Sequence, residues 1–500
     1  MPKILQAPRN IWCDVPVTQA GLLVDGDDYY RAFYSAAQQA QSHILLAGWQ
    51  FDTDACLLRG EEARGATLPV TLLPFLDALC ERNERLRICI LAWDFHAVFA
   101  LEREWMQELR FNWATNDRLT FLFDDKCADQ GSHHQKFVVI DDRLSFLGGL
   151  DLCDHRWDDR AHKDPNPLRV SRGEPHKPFH DLQAYLTGPE VAGELTKLFV
   201  KRWEAAGGEP IAMHAGNAVV DVPKGAVELA ASRVALSRTD PRGRPTEAEG
   251  CREICDLHLD AIARAERLIY VETQYFSSKE IGAALAKRLA TGDARALDVV
   301  LVLNMQAETF KEEVAVGLAQ AKVISDLRSA VAGTPHRLGI YYTVPCTPDG
   351  AEPERATYIH SKIMIVDDRF LTVGSANLTN RSTCLDTELN ATFETDDAAD
   401  ALGRSITRAR QSLIAEHLGV SNAEALNAGG LVEELNRLAE RREGRLRIHP
   451  SPTERERKIL EFIDPQQLPF DPDAMEDQDR DRSIFVGGLG ALWRRLSESA

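Results

Sequence analysis

Apolar residues along this chain fall into short runs of two kinds, and the two kinds alternate. His43 to Phe51 (HILLAGWQF) is a nearly unbroken apolar run ending in aromatic residues, the pattern of a buried strand. Arg267 to Phe276 (RLIYVETQYF) has the same character, and Phe51 and Phe276 lie 225 positions apart. The surroundings repeat as well. A helical stretch precedes each run, Tyr29 to Gln41 in the first half and Cys251 to Glu266 in the second. A second helical stretch follows, Leu72 to Asn83 or Ile281 to Ala290, and then another apolar strand, Leu86 to Ala92 or Leu297 to Leu303. Each half then carries a hairpin. Phe137 to Ile140 turns into Leu144 to Leu147, and Ile363 to Val366 turns into Phe370 to Val373, through Asp141-Asp142-Arg143 and Asp367-Asp368-Arg369. Alternating runs follow at Leu182 to Leu186 and Leu389 to Phe393, and a helix carrying Pro189 to Trp203 closes the first half.

Strands alternating with helices predict an α/β protein in which each half is a mixed sheet flanked by helices. The constant offset predicts an internal duplication into two similar lobes, residues 1–204 and 251–420. Residues 205–250 read as a connector, rich in Gly, Pro and polar residues, with one strand over Ala226 to Leu236. Residues 421–500 read as a helical and irregular extension. Leu431, Leu435 and Leu438 mark its helix, Pro450 to Asp481 is polar and acidic, and Ile484 to Leu496 is expected to be a tail docked on the body.

Composition narrows the function. The net charge of -19 over 500 residues counts against tight non-specific binding to nucleic acid, whose affinity comes largely from Lys and Arg on phosphates. No run is long and apolar enough to span a bilayer, and the N-terminal residues show no secretory signal. The ten cysteines are scattered with no C-x-x-C pair. Cys251 and Cys255 are expected on one helix face without further zinc ligands, so reduced thiols in a cytoplasmic or peripherally membrane-associated protein are the expectation. Export without a cleavable signal is compatible with the same chain.

The chemistry lies in one pattern present twice. His134, Lys136 and Asp141 form H-x-K-x-x-x-x-D, and His360, Lys362 and Asp367 repeat it 226 residues later. Both copies reach a glycine at the same spacing, Gly148-Gly149-Leu150-Asp151 and Gly374-Ser375-Ala376-Asn377. A histidine and a lysine two apart on a strand share a face, and two such faces can grip a phosphodiester. One imidazole attacks phosphorus while the other protonates the leaving oxygen. The lysines neutralise the non-bridging oxygens, so no metal and no cofactor is called for. Each histidine needs an acceptor to fix its tautomer. Asp181 and Glu388, equivalently placed before their alternating runs, suit this better than Asp141 and Asp367, which sit at turns and read as structural. His133 reads as a neighbouring polar residue. Trp49, Gln274 and Tyr275 read equally as cleft lining or as sheet-end packing.

These residues resemble the phospholipase D superfamily from about residue 20 to 420. His133-His134-Gln135-Lys136 with Gly148-Gly149-Leu150-Asp151-Leu152-Cys153-Asp154 is similar to the first motif of the plant and eukaryotic-type phospholipases D. So are Pro178-Phe179-His180-Asp181-Leu182-Gln183, Arg202-Trp203, and Ile269-Tyr270-Val271-Glu272-Thr273-Gln274-Tyr275-Phe276. The resemblance implies two α/β lobes with the site at their interface. It makes His134 the nucleophile and His360 the general acid, with Asp181 orienting His134 and Glu388 orienting His360. Lys136, Lys362 and Asn377 bind phosphate, and Ser375, Gly149, Asp151 and Gln274 complete the expected substrate-binding set. The implied partner is phospholipid at a membrane surface, and the enzyme is expected to be a monomer because the duplication supplies both half-sites. Membrane contact is expected from the loop His155 to Pro178, with Arg156, Arg160, Lys163, Arg169, Arg172 and Lys177 around Trp157. The implied reaction releases phosphatidic acid, with transphosphatidylation beside it. The alternatives are cardiolipin-synthase-like transfer and a nuclease of the same superfamily; a non-catalytic scaffold fits poorly with two intact motifs.

Overall fold

The computed structural model describes residues 3–94, 110–112, 115–128, 131–213, 223–241, 250–292, 295–305, 316–348, 353–421, 423, 426–442 and 444–452. Two large mixed sheets carry the molecule, and their strand orders match. The first runs Val227–Leu229, Gln19–Val24, Leu182–Thr187, Leu144–Gly148, Phe137–Ile140, His43–Gly48, Arg87–Trp93, Leu119–Asp124. The second runs Cys13–Pro16, Arg233–Asp240, Glu388–Glu394, Phe370–Gly374, Ile363–Val366, Leu268–Glu272, Asp298–Val302, Arg337–Thr343, Leu446–Ile448. The hairpin strand pairs with the central apolar strand in the same sense in each, Ile44 opposite Ile140 and Ile269 opposite Val366.

Alternation along the central strands explains the layers. Leu45, Ala47, Phe137, Val139 and Leu147 point into a core shared with Tyr270, Ile363, Ile365 and Val373 of the second sheet. Their neighbours Ile44, Leu46, Val138, Ile140 and Phe146 point outward to the helices Asp25–Ala37 and Leu72–Arg82. Side chains of successive strand residues face opposite sides, so an apolar run with no polar member must be covered on both. The second sheet is covered likewise by Glu253–Arg264, Lys279–Leu289 and Leu318–Val331. The helices Pro189–Ala205 and Ala401–Leu418 also pack into the shared core. Each fully buried Leu or Ile contributes about 1.5–3 kcal/mol.

The expected elements are present, with differences at the joints. The single strand expected over Ala226 to Leu236 is two strands, Val227–Leu229 in the first sheet and Arg233–Asp240 in the second. The N-terminal strand Cys13–Pro16 joins the second sheet, although it falls within the residues 1–204 expected to form the first lobe. The C-terminal extension supplies the helix Leu431–Arg441 and an unexpected edge strand, Leu446–Ile448. Cys251 lies in a two-residue strand and Cys255 in the following helix, so they do not share a helix face, and all ten cysteines are free thiols. The tail expected at Ile484 to Leu496, and all but the first three residues of Pro450 to Asp481, lie outside the described residues. No described helix is long and apolar enough to cross a membrane.

Candidate active site

Both histidine–lysine pairs lie just before the hairpin strands, not within them: the strands begin at Phe137 and Ile363. The far end of each hairpin explains the third motif residue. Asp141 and Asp142 have φ of 54° and 51°, Asp367 and Asp368 54° and 58°, a turn with both central residues left-handed. The Asp141 carboxylate accepts the backbone N–H groups of Gln41, Ser42 and His43 at 2.7, 2.8 and 2.9 Å. Asp367 does the same for Glu266, Arg267 and Leu268 at 2.9, 2.7 and 2.9 Å. Both therefore tie the hairpin to the start of the central strand, away from the histidines.

The lobes meet through the segments that hold the histidines. The N–H of His134 donates to Thr387 O at 3.0 Å, and the N–H of His360 donates to His180 O at 2.8 Å. Thr387 and His180 directly precede the two orienting carboxylates. Consequently each imidazole meets the carboxylate of the other lobe. His134 Nδ1 lies 2.9 Å from Glu388 Oε2, and His360 Nδ1 lies 2.5 Å from Asp181 Oδ2. The expected pairing, Asp181 with His134 and Glu388 with His360, is thus reversed. Equivalent position within a repeat says which residues correspond; it does not say which lobe they face once two repeats pack around a two-fold relation.

Electrostatics fit this crossing. Burial pushes the Glu388 carboxyl up to about 8 and the Asp181 carboxyl up to about 7, against the pull of Ser375 on Glu388 and of Lys362 on Asp181. Desolvation, then the charges of Lys136 and Lys362, hold His134 well below its ordinary value. Desolvation, then Lys362, Arg156 and Lys136, do the same to His360. Each Nδ1–carboxyl contact therefore holds a proton that either partner can carry. Burial also pushes the Lys362 ammonium down to about 7.

The half-sites differ in how they hold their lysines. Lys136 Nζ pairs with Asp151 Oδ2 at 3.1 Å, and Asp151 is held in turn by the Trp49 N–H at 2.9 Å. Lys362 has amides instead: Nζ donates to Gln274 Oε1 at 3.1 Å, and Asn377 Nδ2 donates to that same oxygen at 3.2 Å. Gln274 is fixed by donating to the Tyr358 hydroxyl, which also meets Tyr275. Trp49 stacks on Trp93 with centroids 5.6 Å apart.

Of the expected substrate-binding residues, two face carboxylates. Ser375 Oγ donates to Glu388 Oε2 at 2.5 Å. Gly149 lies against Asp181, where a Cβ would come within 2.2 Å of Oδ1, so only glycine permits that approach. His133 is fully buried, between Thr387 Oγ1 and Asp124 Oδ2.

Part of the loop expected to touch membrane is folded inward, while Lys163, Leu168 and Arg172 stay exposed. Trp157 is 2 % exposed and Arg169 1 % exposed. The Arg59 guanidinium covers the Trp157 ring, Arg169 pairs with Asp158, and Arg160 pairs with Glu416. Arg156 points into the site, with Nη1 2.9 Å from His360 Nε2. The sequence offered these basic residues for membrane contact because it does not show which carboxylate each will meet.

Beneath the His360 dyad lies a buried cluster that the sequence reading missed. His162 Nε2 is 3.3 Å from Asp25 Oδ2 and 3.1 Å from Glu416 Oε1; His180 Nδ1 is 3.1 Å from Asp25 Oδ1 and 2.6 Å from Glu416 Oε1. The other ring nitrogens face Asp158 at 2.8 Å and Glu272 at 2.9 Å. Both nitrogens of each ring thus meet carboxylate oxygens, and although burial works against it, those carboxylates raise both rings above the ordinary histidine value. Asp25, His162, His180 and Glu416 offer four ligand atoms within 4.8 Å, with outer carboxylates orienting both rings, a donor set that fits a divalent cation. The sequence reading assigned no metal ligand. A charged Glu272 inside an apolar strand was the one visible signal.

A family model described as "Cardiolipin synthase, PLD-like domain" matches residues 258–409, most of the second lobe. The chain is 26% identical to phospholipase D alpha 2 of Oryza sativa subsp. japonica, over 83% of its own length and 67% of that protein. It is 25% identical to phospholipase D alpha 1 of Zea mays, over 72% of its own length and 60% of that protein. Together these matches support the phospholipase D superfamily for this chain. The phosphatidylserine synthase of Haemophilus influenzae Rd KW20 has the same fold, with a TM-score of 0.53, 13% identity, and coverage of 90% of this chain and 93% of that one. The plant relatives are longer, and the chain spans roughly two thirds of their length. The homologues support a phosphodiesterase-type enzyme; the substrate and the product are a separate question.

Proposed function

We propose that this protein is a phospholipase D, cleaving the head-group phosphodiester of a glycerophospholipid to phosphatidic acid and a free alcohol. The observation that carries the reading is the crossed pair of dyads, His134 with Glu388 and His360 with Asp181, with both lysine charges reaching His134. His134 is the more accessible histidine, with 17% of its side chain exposed against 5% for His360, which supports it as nucleophile. Its Nε2 lone pair attacks phosphorus while His360, which takes up a solvent proton at Nε2 once the phosphodiester anion is bound, gives that proton to the leaving alcohol oxygen. The phosphatidyl group is then carried on His134. Water attacks phosphorus, His360 takes the water proton, and the P–N bond breaks to release phosphatidic acid. Lys136 is already balanced by Asp151, so Lys362, held only by neutral amides, contributes most of the uncompensated charge against the non-bridging oxygens.

Transfer to a second alcohol uses the same intermediate. The match of the second lobe to a cardiolipin-synthase-type model favours this as the second reading. One assay separates them: mixed phospholipid vesicles containing a little ethanol, with release of head group, phosphatidic acid and phosphatidylethanol followed. Hydrolysis gives phosphatidic acid with a smaller yield of phosphatidylethanol. A transferase gives lipid-to-lipid product with little phosphatidic acid. His134→Ala and His360→Ala should each abolish turnover; near-normal rates in both would overturn the mechanism, and cleavage of nucleic acid without lipid turnover would move the substrate.

A further inference from the structure

The proposed reaction sends the leaving alcohol oxygen to His360 Nε2, so the head group must lie on that side of the cleft. A short pair of parallel strands, one from each lobe, lines it. Phe179 stands opposite Tyr358 and His180 opposite Ile359. The Tyr358 N–H donates to Pro178 O and the His360 N–H to His180 O, both at 2.8 Å. Side chains two apart on a strand share a face. Asp181 and His360 therefore form one rung, and Phe179 and Tyr358 form the next rung on the same face. The contacts agree. The Phe179 and Tyr358 rings lie 5.2 and 6.2 Å from the His360 ring, centroid to centroid, and 5.6 Å from each other. Tyr358 is fixed through its hydroxyl, which accepts from Gln274 and meets the Tyr275 hydroxyl.

Two aromatic rings beside the leaving group would suit a cationic head group, because a quaternary ammonium binds the negative face of a ring. Both rings carry a cation of the protein instead. Lys177 Nζ lies 3.5 Å from the centroid of the Tyr358 ring, and Arg156 Cζ lies 5.4 Å from that of Phe179. That occupancy holds whatever else the two cations touch. The carboxylates described in the site are engaged as well: Asp181 with His360, Glu388 with His134, and Asp151 with Lys136. A choline or ethanolamine nitrogen would thus meet like charge at the ring it needs, an arrangement that selects against it. Hydroxyl oxygens, by contrast, accept hydrogen bonds from an ammonium. We propose that Lys177, seated on Tyr358, is a specificity-determining residue that selects phospholipids with a polyol head group, such as phosphatidylglycerol, over those with a cationic nitrogen. The lipid and the side of the cleft rest on the phospholipase reading, with His360 as general acid; the cation on the ring does not.

The test is a competition within one vesicle. The full chain acts on vesicles of equal phosphatidylglycerol and phosphatidylcholine with matched acyl chains. Glycerol and choline release are followed together, so that adsorption to the surface cancels. Wild type should favour phosphatidylglycerol. Lys177→Met bares the ring, and the ratio of glycerol to choline release should fall roughly five- to thirtyfold, the range of one cation–π contact. Lys177→Arg keeps a cation on the ring and should stay near wild type. Lys163→Met removes an exposed charge of the same loop and should leave the ratio in place. A wild-type preference for phosphatidylcholine, equal use of the two lipids, or the same ratio in Lys177→Met and Lys163→Met would overturn the proposal. Calorimetry with glycerophosphoglycerol and glycerophosphocholine on His134→Ala, which should not consume them, separates this proposal from the reading it rests on. Tighter, Lys177-dependent binding of glycerophosphoglycerol, with neither lipid turned over by wild type, would keep the head-group assignment and refute the phospholipase reading. Equal binding of the two probes would overturn the assignment even if both lipids are cleaved.

Discussion

Glu388 and Asp181 show how much depends on single contacts. Each carboxylate serves the histidine of the opposite lobe, so a change in one lobe should be felt in the other. Glu388→Gln should lower kcat by roughly 10²–10⁴ and move the 15N resonances of His134, leaving those of His360 nearly in place; the reverse pattern would contradict the crossing. The sequence identified both carboxylates but paired them wrongly, because spacing along a chain carries no information about which side of an interface a loop will face. Lys362 gives a second expectation. Burial holds its ammonium at about 7 in the free enzyme, Asp181 opposing the fall. The charged form is the one that holds phosphate, so it is present below that pH and lost above it. The value of kcat/KM should therefore fall about tenfold per pH unit above neutrality. The bound phosphodiester anion restores the ammonium, so the alkaline limb of kcat should lie at higher pH, and coincident limbs in the two profiles would argue against this role.

At the scale of elements, the two hairpins are built by the same device. Asp141 and Asp367 each gather three backbone N–H groups at the start of the central strand. Leaving such buried donors without an acceptor costs about 1–3 kcal/mol each. Asp367→Ala should accordingly destabilise the protein by about 3 kcal/mol or more, read from denaturant unfolding, while the specific activity of the remaining folded protein stays near that of wild type. A loss of kcat with unchanged stability would place Asp367 in the chemistry instead. The structural reading of these aspartates was available from the sequence because a turn is a local object. The inward contacts of the loop His155 to Pro178 were not legible for the complementary reason. Arg160 and Arg156 meet Glu416 and the His360 ring only where the two lobes come together.

The whole molecule is held together by strands that belong to the other half. Cys13–Pro16 comes from the first half but pairs in the second sheet, while Val227–Leu229 and Arg233–Asp240 lie in different sheets within a few residues of each other. The shared core draws on both sheets, and the Asp25, His162, His180, Glu416 cluster joins both lobes. Fragments 1–204 and 251–500 should therefore fail to fold separately and recover activity only when produced together; a well-folded isolated first half, seen by cooperative unfolding, would refute this. The sequence by itself determined the α/β class, the duplication, the order of the main strands and the identity of the four histidine and lysine residues, since periodicity, repeat offset and turn chemistry are properties of neighbours in the chain. Only the tertiary structure decided which carboxylate orients which histidine, where Arg156 points, and that four buried side chains from distant segments converge on one point. Those facts depend on two similar surfaces packing face to face, and the docking of one lobe on the other is not encoded in any local stretch of residues.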